Sequence, residues 1–412
     1  MPFARNHLDE FPQSEIFLFT VGRDDLLKES FIQAEKHFLA LIKIAPNNIS
    51  AQKLLAEVYL KTFQCEKVDV ILDSILSRNP KDVKAWTLKG KKELIVGDIP
   101  AARRCIDKAR CYDPDDRPEL LLATAQVELA ELKFDMVRSR IKFYLEEVDP
   151  DSTEAHLLEA QIALIDADYS LVRTSCKRIL KKHKKHTGAL ITLGQAALAE
   201  MDFSEAEYCA KEAALLQPHN PAAQLLLAQI DLFQNIKNPA KIAITSDLKD
   251  LAKKYPKNTA ILNALGYLCS IQQDFVTAEK HFNEVLILNA EDTTALGALA
   301  EIALRKGDVE TAQKLAISAC RINWKNLQGL YVQGRVALAK TPPDYTAALV
   351  PFKEITQYYP RLANVADQVN YLAKNAHQSS TPDFQMKKTQ LLSLLQVKSF
   401  ISPAFHLEVV AF

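Results

Sequence analysis

The stretch TGALITLGQAALAEMDFSEAEYCAKEAALLQPHN, residues 187–220, holds two runs of apolar and small residues with a short polar break between them. In both runs the apolar residues recur every three to four positions, which is typical of helices that bury one face. Pro218 follows the second run, and a helix stops there because proline lacks the backbone donor. The stretch therefore predicts a helix–turn–helix unit of about 34 residues.

The same arrangement recurs along the chain at intervals of 34 residues or near multiples of that interval. The prolines that follow a helical run are Pro46, Pro80, Pro114, Pro150, Pro218, Pro256 and Pro360. A single unit of this kind cannot bury its apolar face, so we expect stacked units to supply a continuous core.

Small residues recur where the two helices of a unit must approach closely. The eighth place of successive units is occupied by Gly22, Ala56, Gly90, Ala160, Gly194, Ala228, Gly266, Ala300 and Gly334. The twentieth place is occupied by Ala34, Ala102, Ala206, Ala278, Ala312 and Ala348. One turn further along the same helix face stand Phe38, Ile106, Phe282 and Phe352. The pattern is specific because these places and the prolines agree together in most units.

This combination of places resembles the tetratricopeptide repeat family, whose unit is a helix–turn–helix of the same length. The resemblance implies an all-α fold, a right-handed α-solenoid of about ten repeats over residues 15–360. Residues 1–14 would be an N-terminal lead, residues 361–378 a solvating cap helix, and residues 379–412 a linker with an apolar C-terminal tail. The repeats look more similar to bacterial members, including those of envelope, pilus and polysaccharide assembly.

Three units depart from the pattern. The fourth unit, residues 118–150, is read as one residue short in its second helix, and the seventh, residues 221–258, carries about four extra residues. The tenth unit, residues 327–360, has Pro351 inside its second helix, where a kink is expected.

Composition and motifs argue against an enzyme and against a cofactor or metal site. Acidic and basic residues balance at 51 each, and none of the 10 glycines forms a phosphate-binding loop. No nucleophile or metal-ligand motif of the familiar enzyme classes is present. His183 and His186 have a spacing that could ligate a metal, but the surrounding lysines would repel a cation.

The seven cysteines are scattered, which favours reduced thiols in a cytoplasmic protein. No apolar run is long enough for a membrane span, and the run IFLFTV, residues 16–21, is too short and too late for a secretory signal. We therefore expect no membrane insertion and a cytoplasmic location.

A basic turn, within KRILKKHKKHTG at residues 177–188, stands out from the balanced remainder of the chain. Its lysines are Lys181, Lys182, Lys184 and Lys185. The preceding turns, residues 113–119 and 145–154, are acidic, so pairing between stacked neighbours explains the cluster without a ligand. Contact with an acidic partner is the second interpretation and makes this turn a secondary candidate site. A nuclear-import or nucleic-acid patch is the third, disfavoured because no aromatic residue is interleaved.

Four successive glutamines occupy the ninth place of units four to seven. They are Gln126, Gln161, Gln195 and Gln229, and the apolar residues at the fifth place of the same units are Leu122, Leu157, Ile191 and Leu225. The family resemblance implies that this stripe lines a concave groove. A side-chain amide both donates and accepts, so a ladder of amides between leucine rows suits a bound peptide.

These observations predict a non-enzymatic scaffold or adaptor that binds a peptide segment or protein surface, without nucleic acid. The alternative is a structural subunit held permanently in a larger assembly, such as secretion, pilus or envelope machinery. The apolar tail at residues 383–412 either folds back on the last units or mediates self-association, because it is too apolar to remain a free tail.

Overall fold

The computed structural model describes residues 11, 13–113, 117–235, 245–324, 326–358 and 363–398. Within these residues the chain is all-α, with 22 α-helices and no strand. The predicted fold class, a helical repeat array, is confirmed.

The helices follow one another with short turns. The first eleven are α1 Glu15–Leu27, α2 Phe31–Ile44, α3 Ile49–Lys61, α4 Cys65–Arg78, α5 Val83–Val96, α6 Ile99–Tyr112, α7 Pro118–Ala130, α8 Phe134–Phe143, α9 Thr153–Ile165, α10 Tyr169–Lys182 and α11 Thr187–Ala199. The others are α12 Phe203–Leu216, α13 Pro221–Gln234, α14 Thr245–Lys254, α15 Thr259–Ile271, α16 Phe275–Leu288, α17 Thr293–Arg305, α18 Val309–Ile322, α19 Leu327–Ala339, α20 Tyr345–Tyr358, α21 Ala363–Lys374 and α22 Pro382–Lys398.

Aspartate and asparagine side chains set many of the helix starts. Asp82 Oδ1 accepts the Ala85 N–H at 2.9 Å before α5, and Asp98 Oδ1 accepts the Ala101 N–H at 3.0 Å before α6. Such caps satisfy backbone donors that the first turn of a helix leaves without a partner. The short turn between the two helices of a unit is therefore determined locally.

The predicted close approach of the two helices in a unit is present. A Cβ atom placed on Gly90 would lie 2.8 Å from the Ile106 side chain, and one placed on Gly266 would lie 2.6 Å from the Phe282 ring. Both large side chains are completely buried. The small eighth place thus receives the large residue of the second helix.

The prediction for the fourth unit was wrong. Its second helix is longer than the 14 residues of α2, because α8 continues after 10 residues into a π-helical turn of 5 residues, Tyr144–Val148. The Asp149 N–H reaches back to the Tyr144 carbonyl at 2.9 Å, five residues earlier. A π turn absorbs one added residue without breaking the helix.

The described residues divide into two compact units. The first comprises those within Met1–Ala196 and Glu207–Leu226, and the second those within Ala197–Ala206 and Leu227–Glu408. The insertion predicted in the seventh repeat lies mostly in residues 236–244, outside the described residues.

The C-terminal end of the second unit is covered by α21 and α22. Phe384 and Leu391 of α22 are buried in one cluster with Val369 of α21 and Phe352 of α20. The first part of the predicted apolar tail is therefore a helix that packs on the array, and its remainder, residues 399–412, lies outside the described residues. Pro351 lies inside α20, and the kink expected there stays a prediction.

Among the described residues, no helix combines the length and the apolarity needed to cross a bilayer. The seven cysteines are free thiols.

Candidate functional site

The first unit encloses a cavity of about 300 Å³, here called the inner cavity. Its walls come from the first helices of successive repeats, α3, α5, α7, α9 and α11, and from the turn that precedes α13. This is the stripe that the sequence pattern assigned to a ligand.

Three of the four predicted glutamines line the inner cavity: Gln126, Gln161 and Gln195. Gln161 is 7% exposed and Gln195 is 5% exposed. Neither amide forms a hydrogen bond within the part of the chain that the structure describes. Neither amide is among the described polar atoms that are both fully buried and without a partner, so both amides are open to the cavity.

The apolar part of the predicted stripe divides between wall and core. Leu157 and Ile191 line the inner cavity, together with Leu94. Leu122 and Leu225 do not, since they are 3% and 2% exposed and lie in the core.

The fourth glutamine, Gln229, belongs to the second unit. There it lines a separate small space of about 20 Å³ with Tyr267 and Phe233. A space of this size holds about one water molecule.

A charge pair that the sequence did not predict crosses the inner cavity. Lys91 Nζ of the third repeat lies 2.8 Å from Glu154 Oε1 of the fifth, and Gln126 Nε2 donates to the same oxygen at 2.9 Å. Burial alone would raise the pKa of Glu154, but Lys91, Lys61 and these hydrogen bonds hold it at about 2. Burial opposes the charge of Lys91, yet the carboxylate keeps the pKa of Lys91 above its usual range.

The sequence did hold one signal for this pair. Lys91 occupies the ninth place of the third unit, in the same row as the glutamines, and Glu154 belongs to an acidic turn. The partners are 63 residues apart, so no local spacing indicated that they meet.

The inner cavity continues into a wider space of about 700 Å³, here called the outer opening. The two share the lining residues Glu29, Glu57, Lys61, Lys84, Glu119 and His186. Lys84 Nζ lies 3.5 Å from Glu57 Oε2 and 3.6 Å from Glu119 Oε2. This lysine offsets two carboxylates at the boundary of the two spaces.

His186 stands just before α11, at the edge of the outer opening. Its Nδ1 accepts the Ala189 N–H at 3.1 Å, and its Nε2 lies 3.9 Å from Glu29 Oε1 of the first repeat. Burial, with Lys61 and His183 nearby, lowers the pKa of His186 to about 4. Burial also raises the pKa of Glu29, against the pull of Lys61. The imidazole is therefore neutral at pH 7.

The basic turn is exposed and lies beside the outer opening. His183 and His186, at its two ends, line that opening. Lys182 Nζ lies 3.4 Å from Asp151 Oδ1 of the preceding acidic turn, as the charge-paired interpretation expects. Lys181, Lys184 and Lys185 have no carboxylate within 4.0 Å among the described residues.

No group of three or more potential metal ligands occurs among the described residues. His183 and His186 are therefore not joined by a third ligand within that part of the chain. The ring centroids of the two histidines are 6.5 Å apart.

In the second unit the ninth-place residues Tyr267, Glu301 and Arg335 are engaged with neighbouring side chains. Tyr267 Oη donates to Gln328 Oε1 at 2.9 Å. Glu301 is 1% exposed, and its Oε1 lies 2.5 Å from Arg335 Nη1 and 2.9 Å from Arg305 Nε. Glu301 and Arg335 thus pair within the row, and Tyr267 pairs with a residue outside it.

Comparison with solved structures agrees with the helical repeat fold. The chain is similar to the Cut9–Hcn1 hetero-tetramer of APC/C, with a TM-score of 0.51, 14% identity, and coverage of 97% of this chain and 98% of that one. At this identity the likeness shows the fold, and the predicted resemblance to tetratricopeptide repeat proteins is confirmed at that level.

Two further structures were matched. Yeast Tom70 gives a TM-score of 0.41 at 11% identity and covers 93% of this chain and 99% of its own. A tetratricopeptide repeat protein from Parabacteroides merdae gives 0.38 at 14% identity, with 65% and 99% covered. No protein-family model matches the sequence.

Proposed function

We propose that the protein is a non-enzymatic scaffold whose first unit binds an extended segment of a partner protein in the inner cavity. The observation that carries the proposal is the pair of buried amides, Gln161 and Gln195, which line the cavity and have no hydrogen-bond partner among the described residues. The amide atoms are open to the cavity and are not engaged by another described residue, so a bound peptide backbone can pair with them directly.

The chemistry of the cavity wall fits a polypeptide better than a small polar metabolite. Each amide can both donate to a carbonyl and accept from an N–H, which are the two groups that every peptide unit supplies. Between the amides, Leu157 and Ile191 offer apolar contact for side chains of the bound segment. The backbone would give affinity, and the apolar wall would select the sequence.

The spacing of the amides suits an extended ligand. Gln161 and Gln195 stand at the same place of adjacent repeats, and packed helices lie about 8–10 Å apart. A polyproline II segment presents equivalent backbone groups every three residues, about 9 Å along its axis. Such a segment has no internal hydrogen bonds, so its carbonyls are free to accept from the amides.

The test uses a displayed library of twelve-residue random peptides, selected on the full chain. Peptides that are enriched are then measured by fluorescence anisotropy against the double variant Gln161→Ala with Gln195→Ala. Losing two hydrogen bonds weakens binding by about tenfold. The matched control is Gln313→Ala, an exposed glutamine of α18 in the second unit.

Unchanged affinity in the double variant, or equal loss in the control, would move the site away from the inner cavity. If the protein enriches no peptide and is found only in stable assemblies, the structural-subunit alternative is favoured.

A further inference from the structure

The charges that line the outer opening balance one another. Arg23, Lys61 and Lys84 stand against Glu29, Glu57 and Glu119. Lys53, which also lines the opening, forms a 2.5 Å ion pair with Asp82. The walls of the opening therefore attract neither sign strongly.

The basic turn adds positive charge at the edge of the outer opening. Lys184 and Lys185 lie between His183 and His186, both of which line the opening, so they stand within two residues of its wall. Consecutive Cα atoms are about 3.8 Å apart, so the Cα atoms of Lys184 and Lys185 lie within about one Debye length, 8 Å, of residues that line the opening.

Neighbouring acidic groups leave three lysines of this turn uncompensated. Lys182 Nζ lies 3.4 Å from the Asp151 carboxylate and donates to the Asp151 backbone carbonyl at 2.9 Å. Lys181, Lys184 and Lys185 are exposed and have no ion pair within the described ranges. Pairing between neighbouring turns explains one lysine of the four, so the others need a different account.

We propose that the segment bound in the inner cavity carries acidic residues next to its apolar part, and that these residues contact Lys181, Lys184 and Lys185. The inference rests on the proposed function and specifies the partner: an extended, apolar segment flanked on one side by Asp or Glu. The continuous passage from the inner cavity to the outer opening gives one segment access to both surfaces.

The two surfaces have different roles in binding. The amides and the apolar wall hold the segment in the inner cavity through close contacts, which slow its dissociation. The lysines act over several ångströms, so they raise the rate of association and set the direction in which the segment enters. A nucleic acid would contact the lysines but offers little to the apolar wall of the inner cavity.

The experiment compares three pools of fluorescent peptides that differ only in one flank. Each pool has a degenerate stretch of Leu, Ile, Val, Ala and Pro, followed by three acidic residues, three serines or three lysines. On the unaltered full chain at low salt, the acidic pool should bind about tenfold more tightly than the serine pool. In 0.5 M salt the difference should shrink to about twofold.

The triple variant Lys181→Glu, Lys184→Glu, Lys185→Glu should remove the preference for the acidic pool and leave the serine pool unchanged. The matched control is Lys36→Glu, Lys249→Glu, Lys280→Glu, which changes the net charge equally at three other exposed lysines. If the control removes the preference as well, net charge alone is responsible and the proposal is overturned.

Failure of this inference can be told from failure of the proposed function. Equal binding of the acidic and serine pools, both weakened by the Gln161→Ala, Gln195→Ala variant, overturns the role of the lysines and keeps the groove. Binding of no pool overturns both. A fluorescent twelve-nucleotide single strand of dT is tested in parallel. If it binds and the triple variant abolishes this while the peptide pools are unaffected, the turn is a nucleic-acid patch.

Discussion

In the first unit, Gln161 and Gln195 face a cavity of about 300 Å³ and form no hydrogen bond within the described residues. In the second unit, Glu301 and Arg335 occupy the same place of the repeat and bind each other. Beside Gln229 and Tyr267, two other residues at that place, lies a space of about 20 Å³. The two rows belong to helices of the same length and the same packing.

The difference shows that one helical scaffold can present either an open or a self-satisfied row, depending on a single side chain in each repeat. A glutamine is neutral and too short to reach its equivalent in the next repeat across about 8–10 Å. Glutamate and arginine attract each other and together span that gap, so Glu301 and Arg335 form a pair. The comparison can be tested at both rows.

The largest effect is expected at Glu301. Replacing Glu301 with Ala leaves Arg335 and Arg305 without their buried carboxylate, so the free energy of unfolding should fall by about 3 kcal/mol. Urea unfolding followed by circular dichroism measures this. The control is Glu310→Ala, whose partner is Lys314 and whose side chain is 81% exposed, where a change below about 0.5 kcal/mol is expected. Equal effects at both positions would contradict a self-satisfied row.

The close contact between the two helices of a repeat should be equally sensitive to substitution in both units. Gly90→Ala and Gly266→Ala each place a Cβ atom within 2.8 Å of a buried side chain, so each should lower the stability by about 1–3 kcal/mol. In the double variant Gly266→Ala with Phe282→Leu, the smaller side chain should restore part of that loss. A loss confined to one unit would show that the repeats differ in their packing as well as in their ninth-place rows.

The first unit should also lose stability in acid through His186. Its pKa is about 4 when folded and about 6.5 when unfolded, so the unfolded chain binds more protons between these values. The contribution of the neutral His186 to the free energy of unfolding is complete above pH 6.5 and is lost as the pH falls toward 4. The groups around His186 are Glu29, Lys61, His183 and Glu154.

The variant His186→Asn keeps a capping side chain and removes the titration. Between pH 7 and 5 its stability should fall by about 1 kcal/mol less than that of the unaltered chain, with the shift discounted for solvent screening. The measurement is the urea midpoint at each pH. Parallel curves for the two proteins would show that His186 does not couple to folding.

The smallest effects are expected at three glutamines, and the change in the free energy of unfolding should have opposite sign in the two units. Replacing Gln161 and Gln195 with Leu should leave the free energy of unfolding unchanged or raise it by up to about 1 kcal/mol, since the amides have no partner to lose. Replacing Gln328 with Leu should lower it by about 1 kcal/mol, since Tyr267 loses its 2.9 Å hydrogen bond and keeps the longer one, 3.4 Å, to the Thr294 carbonyl. A loss of stability in the first case would mean that those amides are satisfied in the free protein.

Local patterns in the sequence predicted the helices well. The prolines and the small eighth place act within one repeat and were visible in the sequence, and the structure adds the aspartates that cap helices such as α5 and α6. The error in the fourth unit arose because a π turn hides an added residue: the helix face keeps its apolar spacing on either side of Tyr144.

The candidate site was predicted in part. The row of glutamines was visible because the repeat length places Gln126, Gln161 and Gln195 at one register. The burial of Leu122 and the separate position of Gln229 were not visible, because they depend on how each helix is rotated against its neighbours.

The sequence by itself determined the repeat, the paired helices and the register that places Gln126, Gln161 and Gln195 in one row, because all three follow from the 34-residue period. Only the tertiary structure decided which members of that row are paired. The contact between Lys91 and Glu154 spans 63 residues, and that between His186 and Glu29 joins the end of the fifth repeat to the first. Such contacts arise from small rotations accumulated over successive repeats, and no single repeat encodes them.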